Sequence, residues 1–107
     1  MDLTFEDQKD IDRLKDEFKA QVHHNMDILE DLLLELETDE TIKEEDLRNV
    51  KHIIHSIKGS AGAFEAKDIS KLCHQFENKI VDTKALEDNL TPMLHCIDQV
   101  RKIIDEF

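Results

Sequence analysis

Apolar residues in the first third of the chain fall at Ile11, Leu14, Phe18, Val22, Met26, Leu29, Leu32, Leu33 and Leu36. Steps of three and four keep these positions on one stripe, so the pattern predicts a long amphipathic helix over about 8–37. Glu37-Thr38-Asp39-Glu40 interrupt it, and Thr41 followed by Glu44 has the spacing of a capping box. A second helix is expected over about 42–64, with Leu47, Val50, Ile54, Ile57, Ala61 and Phe64 facing inward. Asp68 is a candidate N-cap for a third helix, 68–82, whose stripe is Ile69, Leu72, Cys73, Phe76 and Ile80. Residues 83–89 read as a loop. Thr91 and Pro92 offer an N-cap and a first-turn proline to a fourth helix, 92–106, carrying Met93, Ile97, Val100, Ile104 and Phe107. Such stripes are buried only against one another, so the expected fold is all-α, an antiparallel up-down four-helix bundle occupying 1–107 as one domain.

Composition narrows the function classes. Two glycines, one proline and no Trp or Tyr leave too few turn and strand formers for an all-β fold. Twenty-six acidic residues against 14 basic ones give a net charge of −12, which repels phosphate backbones and anionic membranes, so neither nucleic acid nor membrane is an expected partner. Residues 1–7 show no signal-peptide pattern, and the longest apolar run is Leu32-Leu33-Leu34. Cys73 and Cys96 sit within apolar stripes and form no C-x-x-C pair, which points to buried thiols in a reducing, cytoplasmic setting. His23, His24, His52 and His74 show no recognised zinc spacing, so no metal site is expected, and His95 reads as a packing or surface residue.

The second helix contains the one local contradiction. Both glycines of the chain lie in His55-Ser56-Ile57-Lys58-Gly59-Ser60-Ala61-Gly62, where each costs about 1 kcal/mol relative to Ala. Turning by about 100° per residue puts His55, Gly59 and Gly62 opposite the apolar stripe, flanked by Lys51 and Lys58. The glycines clear a strip along which a partner's backbone approaches the imidazole. An exposed imidazole, a local cation and free space suit a transient phosphoryl group. The competing explanation is that the small residues permit close helix packing and His55 is an ordinary solvated side chain.

The segment from His55 to Phe64 resembles the H-x-x-K-G-x-x-G motif of histidine phosphotransfer domains, with closest likeness to the N-terminal phosphoacceptor domain of CheA-type chemotaxis kinases. Cys73-His74-Gln75-Phe76-Glu77-Asn78 is similar to the H-x-x-E-N segment of the same family, and with the helix order the resemblance extends from about residue 9 to the C-terminus. It implies that His55 is the phosphoacceptor, Lys58 the adjacent lysine serving the phosphoryl charge, and Glu77 the acceptor of a hydrogen bond from His55 Nδ1. Such a bond fixes the tautomer and leaves Nε2 free to attack phosphorus. His74 resembles a second family histidine near the site. Lys51, Ser56, Gly59 and Gly62 are the expected partner-contacting residues. One departure is clear: Glu65 and Ala66 stand where the chemotaxis kinases show Gly and an apolar residue.

The resemblance implies a carrier and not a kinase, and the chain has no Walker-type loop or room for a nucleotide domain. ATP and Mg²⁺ are expected on partner domains, with no cofactor bound here. The expected partners are a histidine kinase catalytic domain and a response-regulator receiver domain, with this domain monomeric. It is either part of a larger CheA-like kinase or a free-standing shuttle. A helical adaptor using the His55 face without phosphorylation is the alternative.

Overall fold

The computed structural model describes the backbone of residues 5–107 and side chains from Gln8 onward. Of the stretch 1–7 inspected for a targeting signal, residues 1–4 lie outside the described residues. The leading apolar stripe folds into one helix, α1 (Phe5–Thr38), whose 34 residues span about 51 Å. Phe18, Val22, Met26, Leu29, Leu33 and Leu36 are buried along its inner face. Four more helices follow: α2 (Glu44–Ala63), α3 (Lys67–Lys79), α4 (Thr83–Asp88) and α5 (Leu90–Glu106). None is long and apolar enough to cross a membrane.

Cross-helix pairs fix the directions. Arg101 on α5 donates to Glu30 at 2.9 Å and Asp27 at 2.6 Å on α1, while His23 meets Asp105 at 2.8 Å, so these two helices run antiparallel. His55 and Lys58 of α2 meet Glu77 and His74 of α3 in the same antiparallel sense. Helices α1, α2, α3 and α5 close a ring in that order, with α4 laid against α2 and α5. The expected up-down bundle is therefore present, with a fifth, short helix added.

The ends of the elements required correction. Helix α2 starts at Glu44 and not near 42, because the Asp46 carboxylate accepts from the Lys43 N–H at 3.0 Å; the Thr41/Glu44 pair is not its capping box. Helix α3 starts at Lys67 behind Ala66 and ends at Lys79, so Asp68 lies in the first turn, favoured there by the helix dipole, instead of capping it. The segment 83–89 is not an open loop: Asp82 accepts from the Ala85 N–H at 2.7 Å and starts α4, which buries Leu86 completely. Asn89 and not Thr91 precedes α5, placing Pro92 third in the helix, where its missing N–H is still one that has no intrahelical partner.

The link from α2 to α3 is a Schellman turn. Ala66 N–H bonds the Ala61 carbonyl at 2.8 Å and Glu65 N–H bonds the Gly62 carbonyl at 3.2 Å, with buried Ala66 close to buried Ala61. Glu65 holds the left-handed position at φ 57°, the conformation glycine adopts without strain. The departure from the family pattern noted at Glu65 thus falls on a position whose backbone still favours glycine.

The stripes of α2, α3 and α5 are buried largely as predicted. Phe18 stacks on Phe64 at 4.6 Å and meets Phe107 edge-on at 5.4 Å, which sets the C-terminal ends of α2 and α5 level with Phe18. The preceding stretch of α1 runs on past both ends, so Leu14, expected in the core, is 48% exposed. Cys73 and Cys96 are free thiols lining a small apolar void of about 30 Å³ shared with Met26, Ile57 and Met93. Burial pushes the Cys73 thiol up to about 12, keeping it protonated and unreactive.

Candidate functional site

Helix α2 sets the site by its phase. Ile54 and Ile57 enter the core at 3% and 0% exposure, and the residue following Ile54 is turned out of it, leaving the His55 side chain 78% exposed. Gly59 and Gly62 lie on the same outer face, neither has a positive φ, and a Cβ built on either meets nothing within 4 Å. The glycines are therefore required by neither backbone geometry nor helix packing within this chain. The packing explanation for them is removed.

Helix α3 brings a second set of groups alongside. Glu77 Oε1 lies 3.2 Å from His55 Nδ1, and its Oε2 accepts from Lys58 Nζ at 2.8 Å. Glu77 is 21% exposed and held below the usual carboxylate range, first by the Lys58 hydrogen bond and further by His55, against the opposing effect of burial. An ionised carboxylate only accepts hydrogen bonds, so the proton of the neutral His55 ring belongs on Nδ1. The lone pair then lies on Nε2, which has no hydrogen-bond partner among the described residues.

Lys58 also reaches His74, whose Nδ1 lies 3.2 Å from Nζ. The Asn78 amide lies 3.2 Å from the Nε2 of that ring. His74 thus contacts Lys58 and not His55. The result is a chain, Asn78–His74–Lys58–Glu77–His55, spanning α2 and α3. The lysine expected to serve an incoming phosphoryl group is anchored here as the counter-ion of Glu77. Asn78 was quoted in the H-x-x-E-N segment without a role; its i+4 spacing from His74 was the signal that could have found it.

The remaining expected contacts divide. Lys51 lines the surface beside His55 and Glu77, together with Arg48 and His52. Ser56 is half-buried and its hydroxyl donates to the His52 carbonyl at 2.9 Å, so that donor is used within the helix. On the far side of α2, Ile28, Leu32 and Ile53 line an apolar groove with His52. His23 is drawn to Asp105, away from His52, and among the described residues no three His, Cys, Asp or Glu side chains gather as a metal site.

Residues 13–107 match the family model described as the Hpt domain, from the middle of α1 to the end of α5. The chain belongs to the Hpt domain family. Hpt domains carry out histidine phosphotransfer in phosphorelays, exchanging phosphoryl groups with kinases and receiver domains. No curated protein and no solved structure gives a significant match to the chain. In this Hpt domain, the exposed histidine paired with a carboxylate from the adjacent helix is His55.

Proposed function

We propose that His55 is the phosphoacceptor of this Hpt domain. The Nε2 lone pair attacks the γ-phosphorus of ATP held by a histidine kinase catalytic domain, or the phosphorus of a receiver's aspartyl phosphate. The N–P bond forms as ADP or the aspartate carboxylate leaves, and positive charge grows on the ring. Glu77 faces the Nδ1–H and stabilises that charge, while Lys58 holds Glu77 ionised and in place. In the reverse direction the same N–P bond breaks as a receiver aspartate attacks. ATP and Mg²⁺ belong to the partners, and this domain supplies the carrier. The observation that carries the reading is Glu77 Oε1 at 3.2 Å from Nδ1 of an otherwise exposed ring.

The finer reading is a domain derived from, or part of, a CheA-like chemotaxis kinase, working in the cytoplasm. It is supported by the His55–Phe64 motif and by Glu65 occupying the left-handed position that suits the glycine of those kinases. The test is radiolabelling with γ-labelled ATP and the kinase domain that phosphorylates the protein. His55→Gln is expected to lose all acid-labile, base-stable label while retaining its helical circular dichroism; full labelling of that variant refutes the assignment.

A further inference from the structure

The charge of this molecule is distributed unevenly. Residues 47–76 carry five bases (Arg48, Lys51, Lys58, Lys67 and Lys71) against two acids, a net of +3. The other 77 residues carry nine bases against 24 acids, a net of −15. The positive stretch is the facing pair α2 and α3. Lys58 is spent on Glu77, whereas Lys67 and Lys71 have no ion pair or hydrogen bond among the described residues, despite the surplus of acids elsewhere.

Lys67 and Lys71 are exposed on consecutive turns of α3 and line an open groove of about 460 Å³ with Lys58, Gly62, Ser70 and His74. Gly62 stands seven residues beyond His55 on the same face of α2, about 10 Å along the helix axis. Because a Cβ there meets nothing, the groove stays open to a rigid surface. Only Glu65 contributes an acid to its lining.

Resting on the phosphoacceptor reading of His55, we propose that this Lys67/Lys71 groove is the docking surface for an acidic rim of the receiver domain. The charge selects the partner. An aspartyl acceptor works with a divalent cation held by carboxylates, so the face it brings to His55 is acidic. Such a face is repelled by the −15 remainder of this chain and finds attraction only along α2 and α3. Screening confines exposed charges to about 10 Å at 0.1 M salt, so the two lysines act on a surface already oriented toward His55. They set the register of the encounter, and the His55–Glu77 pair performs the transfer.

The experiment uses the receiver domain that takes the phosphoryl group fastest in profiling against the receivers of the same genome. Lys67→Glu/Lys71→Glu is compared with Lys84→Glu/Lys102→Glu, which makes the same change in net charge on α4 and α5. The first variant is expected to lose about tenfold in kcat/KM for transfer to the receiver at low salt, with kcat nearly kept and the loss shrinking as salt rises. The second is expected to lose less than about threefold, as is kinase-dependent labelling of either variant. Calorimetric affinity for the unphosphorylated receiver is expected to follow the same order and reads docking without phosphoryl chemistry. A loss no larger than in the second variant, or an equal loss in kinase-dependent labelling, overturns the proposal. Labelling by phosphoramidate, a small donor that needs no docking, is expected to be the same in all three proteins. Absence of label at His55 of the wild type from both phosphoramidate and kinase overturns the phosphoacceptor reading instead.

Discussion

Replacing Gly59 by alanine separates stability from function with opposite signs. Gly59 lies within α2, four residues after His55, with a Cβ meeting nothing within 4 Å and no positive φ to strain. The substitution therefore neither fills a void nor creates a clash, and only the helix-propensity difference remains, about 0.8–1 kcal/mol in favour of alanine. For a domain of this size that raises the melting temperature by roughly 4–8 °C. The measurement is thermal and urea unfolding followed by circular dichroism at 222 nm, since a chain without Trp or Tyr offers little intrinsic fluorescence. The same methyl group stands one turn from the imidazole on the face a partner must reach. Misplacing reacting atoms by about 1 Å costs on the order of 10²-fold in rate, so transfer to the receiver is expected to fall while phosphoramidate labelling of His55 is unchanged. A destabilised Gly59→Ala protein refutes the open-face geometry. A stabilised protein with undiminished transfer refutes the role assigned to the cleared strip.

Three further outcomes follow from other parts of the molecule. Glu65→Gly relieves a non-glycine residue at φ 57° in the Schellman turn and is expected to raise unfolding stability by about 1 kcal/mol, read from urea midpoints; a loss of stability contradicts the strain argument. Glu77 has its carboxyl pKa lowered in the folded state, so its stabilisation is present above the ordinary carboxylate range and is lost as pH falls through the lowered value. The stability gap between wild type and Glu77→Gln is therefore expected at pH 7 and should close in acid, and in Lys58→Met the Glu77 titration followed by carboxyl ¹³C NMR should move upward; a gap that widens in acid reverses the assignment. Leu86→Ala is expected to cost about 2–5 kcal/mol because Leu86 is fully buried, whereas an exposed-loop leucine would cost almost nothing in the same denaturation assay.

The periodicity of apolar residues was enough to place the four long helices and most of their inward faces, because a stripe repeating at three and four has one stable solution, burial against other such stripes. Helix phase likewise put His55 and both glycines on the outer face of α2, since that depends only on rotation per residue. Local competition among caps escaped the pattern. Asp46 reached back to Lys43, Asp82 started a short helix across the expected loop, and Asn89 displaced Thr91, each a choice among several nearby polar side chains able to do the same task. Leu14 also failed as a core residue, because the stripe on α1 outruns the helices available to cover it.

The pairing between helices is where sequence stops and tertiary structure decides. Glu77 came into the reading through a family resemblance, and the antiparallel register of α3 on α2 sets its carboxylate 3.2 Å from Nδ1. That register also turned Lys58 from a free cation into the partner of Glu77 and His74, and left Lys67 and Lys71 unpaired beside the glycine-lined face. A residue's charge and its side of a helix are written locally in the chain. Which opposite charge it meets, and whether any remains for a partner, depends on the axial offset and rotation of a neighbouring helix, and these are settled only when the whole core packs.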